Sequence, residues 1–413
     1  MTDNLTRIGD AFTVSIGGTP SRKRSEFWDP KKESNNIWLS IRDISLNQEP
    51  KIMNSTEYIS DEGIKNSNAK MIPADTALMT FKLTIGKTTV SGTNLYTNEA
   101  IAAFLPKSGT EADPYYLATV LPTLNYETDQ AVKGKTLNKA KIENALIPLP
   151  KISRQKRIAE ILTSADRSIA STQRSIDETE KLEKSLMKQL FTRGIGHTKF
   201  KQTEIGEIPE SWKVGTFADL VDSSDRNAIK PGPFGSSLKK QFYVPSGYKI
   251  YGQEQVISGN PYYGDYYVDE AKYKELIAFK VQAGDVLISL VGTIGKVLIV
   301  PEDFEPGIIN PRLLKITPDA TKASSKFIAH LLQSELVLNQ MGQKSHGGTM
   351  NILNKGMLEN MSFGIPSLVE QNKMVEILQS IDNQIEINKK LKFKQEQLKQ
   401  GLMQDLLTGR VAI

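Results

Sequence analysis

The sequence predicts an α+β protein with two pseudo-symmetric, strand-rich globular domains separated by two long antiparallel helices that form a coiled-coil spacer. A helix-like segment occurs twice, as QKRIAEILTSADRSI from Gln155 and as QNKMVEILQSIDNQI from Gln371. Each copy follows a stretch of short apolar runs that Gly, Pro, Asn and Asp interrupt. Such self-similarity indicates that the chain contains two copies of one structural plan.

Length and composition limit the alternatives. The 413 residues exceed a typical single core, so two or three domains are expected. The 52 Lys and Arg outnumber the 47 Asp and Glu, a mild excess that permits a polyanionic partner without requiring one. The absence of cysteine excludes disulfides, thiolate metal sites and Cys nucleophiles. No signal-peptide layout and no apolar run of about 18 residues is found, which predicts a soluble, cytoplasmic protein without a membrane partner.

The repeat extends far beyond the doubled segment, at a constant offset of 216 positions (371 − 155). First-copy residues that recur 216 positions later are Leu137, Asn138, Lys139, Glu143, Asn144, Pro150, Gln155, Glu160, Ile161, Leu162, Ser164, Asp166, Ile169, Leu182, Leu186, Met187, Leu190 and Thr192. This register predicts a first globular domain over residues 1–146 and a first helix over 147–194. A linker and second domain follow over 195–362, and a second helix over 363–413.

The globular domains share shape more than identical residues. Each contains an apolar run that closes in Ile-Gly-Lys, at Lys87 and at Lys296, which predicts a β-hairpin with the lysine at its turn. One helix is expected in each domain, near Tyr115 and from Phe327. The polar, glycine-bearing stretch 194–212 is typical of a linker.

The doubled segments continue as heptad-like apolar patterns over about 38 residues, or about 57 Å of helix. The residues predicted to pack between the helices are Ile158, Leu162, Ile169, Ile176, Leu186, Leu190, Leu378, Ile381, Ile385, Leu398, Leu402 and Leu406. An antiparallel pair would hold two unlike domains at a set separation and leave outward faces for other subunits. Dimeric DNA-binding proteins read two half-sites across helical turns in a comparable way.

Several segments resemble the specificity subunits of type I restriction-modification systems. They are IGGTPSRKRSEFW from Ile16, IPLPKISRQKRIAEIL from Ile147, TKFKQTEIGEIPESW from Thr198, GPFGSSL from Gly232 and FGIPSLVEQNKMVEIL from Phe363. The resemblance covers nearly the whole chain. One departure is Arg154, where the second copy has Glu370, because this position is usually acidic in the family.

The resemblance implies a non-catalytic DNA-binding protein without a cofactor. Each target recognition domain of such a subunit reads half of a split, asymmetric double-stranded DNA sequence, and the helices set the unread spacer. Two adenine methyltransferase subunits bind the helical core, and motor-nuclease subunits join the full complex.

Phosphate contacts supply affinity and base edges supply sequence, so basic and amide residues at turns are the candidates for DNA binding. Arg and Gln suit bidentate contacts to guanine and adenine. The candidates in the first domain are Thr19, Ser21, Arg22, Lys23, Arg24 and Arg42, after Gly17 and Gly18, whose backbone can approach a phosphate. Those in the second domain are Ser236, Ser237, Lys239, Lys240 and Gln253, the last near the place of Arg42. A solvated surface charge is the alternative for each.

A Gly-x-Thr-apolar-Asn turn precedes the repeated segment in both halves. Its candidate residues are Lys133, Lys135, Thr136 and Asn138, and Lys344, His346, Thr349 and Asn351. A helix cap is an equal alternative to DNA contact here, because Asn and Thr are good N-caps.

The sequence contains no convincing catalytic or metal site. GKT at Gly86 and Gly134 lacks the upstream glycine of a phosphate-binding loop, and NPYY from Asn260 lacks a methyl-donor site. The three histidines have no metal-ligand spacing. The alternatives to a DNA specificity subunit are a two-headed protein-binding scaffold without DNA readout and, less well supported, a methyltransferase or nuclease.

Overall fold

A computed structural model describes residues 5–47, 49–127, 129–131, 134–290, 295–343 and 355–411. The chain divides into two compact units. Unit 1 comprises Met1–Ile176 and Ile387–Ile413, and unit 2 comprises Asp177–Glu386. The predicted domain limits at 146, 194 and 362 lie near the ends of the long helices. They do not coincide with the division into units, which falls within those helices, and they stay a prediction.

Unit 1 contains a five-stranded and a three-stranded sheet. In order, the larger sheet has Phe12–Ile16, Ile101–Pro106, Ala77–Thr80, Thr88–Ser91 and Lys51–Ile52, with only the last pair parallel. The smaller sheet has Glu57–Tyr58, Ile37–Leu39 and Tyr96–Thr97, with the last pair parallel. Two-stranded ladders join Leu5–Arg7 to Leu146–Pro148 and Asp129–Ala131 to Gly134–Thr136. Its shorter helices are Ile8–Ala11, Ile41–Leu46, Asp61–Lys65, Pro114–Val120 and Lys139–Asn144, with 3-10 turns at Ser25–Phe27 and Leu121–Thr123.

Unit 2 contains a four-stranded antiparallel sheet and a three-stranded sheet. The larger sheet has Ile229–Pro231, Leu313–Ile316, Val286–Ser289 and Val297–Ile299 in order. The smaller sheet has Tyr267–Val268, Tyr248–Tyr251 and Gly307–Ile309, with the last pair parallel. Lys213–Gly215 pairs with Phe363–Ile365, and Phe200–Thr203 with Gly206–Pro209. Its shorter helices are Gln253–Ser258, Glu270–Glu275, Ser325–Gln333, Glu335–Gln343 and Lys355–Glu359, with 3-10 turns at Phe217–Leu220, Lys240–Phe242 and Ile277–Phe279.

Apart from the additional strand Lys51–Ile52 of unit 1, the two units therefore share one strand order. The central strand of each larger sheet is buried along its whole length because apolar side chains cover both faces. In Ala77–Thr80, Met79 joins one core cluster while Leu78 joins the other. Val286–Ser289 repeats this alternation, with Ile288 and Leu287 in different clusters. The predicted strand-rich, mixed domains are confirmed, and Lys87 and Lys296 both lie in the predicted hairpin connections.

Two expectations about shorter elements are wrong. The single helix expected from Phe327 is two helices, because Ser334 is extended and its hydroxyl bonds the Leu331 carbonyl at 2.6 Å and accepts from Val337 N at 3.4 Å. The stretch 194–212 is not a plain linker, since it contains an antiparallel hairpin.

The long helices are Ile152–Arg193, with 42 residues, and Leu368–Leu407, with 40. The repeated Pro-x-x-x-x-Gln pattern fixes both helix starts. The buried Gln155 amide donates to the carbonyls of Pro150 at 2.8 Å and Glu111 at 3.2 Å. Gln371 likewise donates to Pro366 at 3.2 Å and to Lys322 at 2.9 Å, so each glutamine ties the first turn of its helix to the preceding globular fold.

Within unit 1, the two helix segments run antiparallel. Three side-chain hydrogen bonds join them: Lys399 to Asp166 at 2.5 Å, Gln395 to Ser168 at 2.9 Å and Lys392 to Gln173 at 2.7 Å. Residue numbers therefore fall along the second helix as they rise along the first. The contact at these levels is therefore polar. Unit 2 instead places Leu186, Leu190 and Leu378 at its core.

The remaining residues predicted to pack between the helices differ in how deeply they are buried. Ile158, Leu162, Ile176, Ile385 and Leu406 are buried, and Ile169, Ile381 and Leu402 are half-buried. Leu398 is 63% exposed, so its predicted place between the helices is wrong. The physical reason is a shift of the contacting face, since Gln395 and Lys399 lie against the first helix instead.

The two helix starts differ in charge at Arg154 and Glu370. In unit 2, Glu370 accepts hydrogen bonds from Ile195 N at 3.0 Å and Trp212 Nε1 at 2.9 Å, and it contacts His197 Nε2 at 2.8 Å. In unit 1, Arg154 Nε and Nη2 are buried and have no hydrogen-bond partner in the part of the chain that the structure describes. Glu370 therefore links residues 195–212 to the start of the second long helix through hydrogen bonds. Arg154, at the start of the first long helix, makes no equivalent link to any described residue.

Among the described residues, no helix is both long enough and apolar enough to cross a membrane.

Candidate nucleic-acid interface

An equivalent strand-to-helix junction occurs in both units. The parallel pair of each smaller sheet ends beside a short helix, Ile41–Leu46 in unit 1 and Gln253–Ser258 in unit 2. Asn98 N donates to Leu39 O at 3.0 Å, and Asn310 N donates to Tyr251 O at 2.8 Å. The two asparagines thus join the neighbouring strands in the same way.

A glycine controls the loop beside each junction. A Cβ atom on Gly17 would lie 1.9 Å from Thr97 O, and one on Gly232 would lie 1.9 Å from Asn310 O. Only glycine permits these approaches. Residues 17 and 232 occupy equivalent places because each directly follows the same edge strand of its larger sheet, Phe12–Ile16 or Ile229–Pro231. Gly17 and Gly18 were expected to leave room for a phosphate, but both pack against backbone of their own unit, Gly18 against Asn68.

In unit 1, Arg22 is held by an acid and two aromatic rings. Its guanidinium donates to both carboxylate oxygens of Glu57 and lies 3.8 Å from the Trp28 ring centroid. Trp28 meets Trp38 edge to face at 5.0 Å. The hydrogen bond that Arg22 donates to Glu57, opposed by partial burial, raises the pKa of Arg22. This arginine is charged and preorganised, with its charge already paired.

The other predicted residues of unit 1 differ in their availability. Thr19 donates to Glu99, and Arg24 forms an ion pair with Glu26 at 2.6 Å. Ser21 is exposed and its carbonyl accepts from Trp28 Nε1 at 3.2 Å. Lys23 and Arg42 are also exposed. Within the described residues neither has an ion pair, whereas Arg22 and Arg24 are both paired.

In unit 2, the junction opens into a cleft of about 930 Å³. Its polar and aromatic lining includes Lys240, Tyr243, Gln253, Tyr263, Tyr266 and Arg312. The Tyr243 and Tyr266 rings pack 5.5 Å apart. Burial and the nearby Glu254 carboxylate raise the pKa of Tyr243, so its hydroxyl stays protonated. The cleft combines hydrogen-bonding groups with flat apolar surfaces.

Gln253 lies at the centre of a side-chain network in this cleft. Its Nε2 donates to Ser289 Oγ at 2.7 Å, and its Oε1 accepts from Arg312 Nη1 at 3.3 Å. Arg312 N in turn donates to Asn310 Oδ1 at 2.9 Å. The network fixes the orientation of an amide and a guanidinium on the cleft wall.

The predicted correspondence of Arg42 with Gln253 is close but one residue out of register. Ser40 caps its helix and bonds Asp43, three residues on, and Gly252 N donates to Gln255, also three residues on. Counting from these caps, Arg42 matches Glu254 and Gln253 matches Ile41.

The remaining predicted residues differ in position. Ser236 and Lys239 are exposed and Ser237 is half-buried, on the loop between Gly232 and the 3-10 turn Lys240–Phe242. Lys240, the first residue of that turn, is exposed and lines the cleft. Asn138 caps the helix Lys139–Asn144 by accepting from Lys141 N at 3.0 Å, as the capping alternative predicts. Lys135 and Thr136 lie in the strand Gly134–Thr136, and their side chains are outside the description. Lys133, Lys344, His346, Thr349 and Asn351 lie outside the described residues.

Sequence reasoning missed the aromatic residues and Arg312. The signals were present, because Trp28 lies four residues after the basic cluster, and Arg312 lies two residues after the asparagine that both halves share. The proximity of Arg312 to Gln253 arises only from the parallel strand pairing. No group of His, Asp and Glu that could hold a metal ion occurs in the described ranges.

Comparison with known sequences identifies both halves. The model of the type I restriction modification DNA specificity domain matches residues 4–181 and 209–397. The type I restriction enzyme MjaVIII specificity subunit of Methanocaldococcus jannaschii is 32% identical over 284 residues, which are 67% of this chain and 64% of that protein. The EcoBI specificity subunit of Escherichia coli is 24% identical over 273 residues, 62% of this chain and 55% of the relative. The chain thus spans about two thirds or less of these two relatives.

Solved structures show the same fold. The crystal structure of a type I restriction-modification system S subunit from M. genitalium has a TM-score of 0.53 at 14% identity, covering 98% of this chain and 96% of that chain. A chain from a study of complex assembly and conformational transition of the type I restriction-modification system has a TM-score of 0.58 at 15% identity, covering 98% and 97%. The predicted resemblance is confirmed, with the specificity class favoured over a catalytic one, and the chain belongs to the type I restriction modification DNA specificity family.

Proposed function

We propose that the chain is the DNA sequence-specificity subunit of a type I restriction-modification complex and that each unit reads one half of a split, asymmetric target. The observation that carries this proposal is a repeated fold with different side chains around the same junction. The junction that holds Arg22, Trp28 and Arg42 in unit 1 holds Gln253 and Arg312 in unit 2. Two similar scaffolds with unlike polar surfaces suit two unlike half-sites.

The predicted DNA-binding residues divide into two roles in this proposal. The exposed Lys23, Arg42, Lys239 and Lys240 contact phosphates and supply salt-dependent affinity. Gln253 with Arg312 contacts base edges, because the pairing between them presents a fixed amide and a fixed guanidinium together.

We propose that the long helices set the unread spacer and dock two methyltransferase subunits, with motor-nuclease subunits joining in the full complex. The antiparallel contacts of Lys399 with Asp166 and Lys392 with Gln173 support a paired spacer. Ile387, Leu391 and Leu398 are exposed and share one face of the second helix. An apolar stripe of this kind fits a partner helix.

The experiment exchanges residues 1–146 for the first domain of another family member and maps adenine methylation by single-molecule sequencing in cells with the cognate methyltransferase subunit. One half of the methylated sequence should change while the other half and the spacer persist. A change in both halves would refute independent reading. The alternative, a two-headed protein-binding scaffold, requires that the assembled complex bind all DNA sequences equally at every salt concentration.

Gln253→Ala should relax base discrimination at one position of the second half-site. Loss of a bidentate amide contact corresponds to about 1–3 kcal/mol, or roughly 5- to 150-fold in relative methylation rate between the target base and its replacements. Lys240→Ala is the matched control from the same cleft: it should weaken binding evenly across sequences and lower the salt slope by about one. Unchanged discrimination in the Gln253 variant would remove this residue from base readout.

A further inference from the structure

Phe234 is an aromatic side chain that unit 2 presents to solvent. It is 88% exposed, far more than a phenylalanine in a folded domain usually is. Apolar surface in water is unfavourable, so burial of this ring against a partner would be favourable.

The loop around Phe234 is stiff, so the exposure is a fixed feature of the fold. Pro231 and Pro233 restrict the backbone on one side. Gly232 packs against Asn310 with no space for a Cβ atom. Ser237 N donates to Phe234 O at 2.8 Å and closes a turn on the other side. The restrained backbone therefore places residue 234 at the surface of unit 2.

The surroundings of the ring suit nucleic acid. Gly235, the next residue, lines the cleft that contains Gln253 and Arg312. Lys239 and Lys240 are exposed a few residues further on and have no ion pair in the described part of unit 2. Positive charge flanking an exposed apolar residue favours a polyanionic partner over an apolar protein surface.

The equivalent place in unit 1 has different chemistry. Two residues after the matched glycines Gly17 and Gly232 come Thr19 and Phe234. Thr19 is a small polar side chain that donates to Glu99. The aromatic projection is therefore a property of unit 2 and not of the shared scaffold.

We propose that Phe234 inserts between two adjacent base pairs of the half-site that unit 2 reads, unstacking that step and bending the duplex there. Proteins that insert Phe, Leu or Pro side chains between base steps kink DNA in this way. Thr19 leaves the first half-site stacked. This inference rests on the proposed DNA-reading function.

The test uses the full chain assembled with its methyltransferase subunits and duplexes that carry 2-aminopurine at single steps outside the methylated adenines. Wild-type complex should raise fluorescence several-fold at one step of the second half-site, and Phe234→Ala should abolish this rise. Phe234→Leu should retain part of it, since leucine also unstacks bases.

The outcomes separate this inference from the proposed function. Specific binding with an equal fluorescence rise in wild type and Phe234→Ala would overturn the insertion and leave the function intact. The Phe234→Ala variant could instead assemble poorly with the methyltransferase subunits and recover the fluorescence rise when those subunits are present in saturating amounts. This result would identify a protein contact for Phe234 and would also overturn the insertion. Failure of the wild-type complex to prefer any sequence would refute the proposed function itself.

Discussion

One heptad inserted into each long helix, after Ile176 and after Glu386, should lengthen the unread spacer and leave both half-site sequences unchanged. These points are the limits of the two compact units, so the insertion adds helix and alters neither unit. Seven residues add about 10.5 Å of helix, which corresponds to at most about three base pairs at 3.4 Å each. Methylation mapping in cells with the cognate methyltransferase subunit measures the result.

A matched pair of seven-residue Gly-Ser insertions at the same two points is the control. These residues interrupt the helices, so the fixed separation and the methylated split sequence should both be lost. If the heptad variant instead methylated new half-sites at the old spacing, the helices would be readers and the assigned roles would be reversed.

Glu370→Ala should release residues 195–212 from the start of the second helix. The carboxylate is nearly buried, and the change removes the acceptor for Ile195 N and for the Nε1 of the buried Trp212. Hydrogen bonds to a charged group contribute about 1.5–3 kcal/mol each, so a local loss of about 3 kcal/mol is expected. Amide hydrogen exchange in a peptide covering 195–212 should accelerate by about 100-fold.

Arg154→Ala is the control for this variant, because Arg154 occupies the equivalent helix start in unit 1. Its Nε and Nη2 have no hydrogen-bond partner in the described residues, so exchange across unit 1 should change less than tenfold. Equal protection of residues 195–212 in wild type and Glu370→Ala would show that the hairpin Phe200–Thr203 with Gly206–Pro209 holds this segment without the carboxylate.

The repeat made the long helices and the doubled fold predictable because their signals are periodic. The Pro-x-x-x-x-Gln pattern is a further case, since Gln155 and Gln371 bond equivalent backbone groups. The face of the second helix that meets the first was less predictable. Leu398 fits the apolar pattern, but the second helix contacts the first through Lys399 and Gln395, which form hydrogen bonds with Asp166 and Ser168.

The candidate interface was predictable in place but not in detail. Arg22 belongs to a basic cluster in the sequence and Arg42 follows an apolar run, yet only the fold shows that Glu57 and Trp28 hold the first while the second stays exposed. Arg312 could not be connected with Gln253, 59 residues away, before the parallel pairing of Tyr248–Tyr251 with Gly307–Ile309 was known. Long-range pairing is the information that a local pattern lacks.

The division of the chain also sets an order of folding during synthesis. Unit 2 is continuous, whereas unit 1 also needs residues made after unit 2, because Leu406 packs with Ile158 and Leu162 in its core. At about 5–20 residues per second, the ribosome needs roughly 10–50 s to proceed from Ile176 to Leu406. The nascent first unit therefore lacks part of its core, with apolar surface exposed, while the second unit is made. Termination of synthesis before Leu406 would damage the first unit and spare the second.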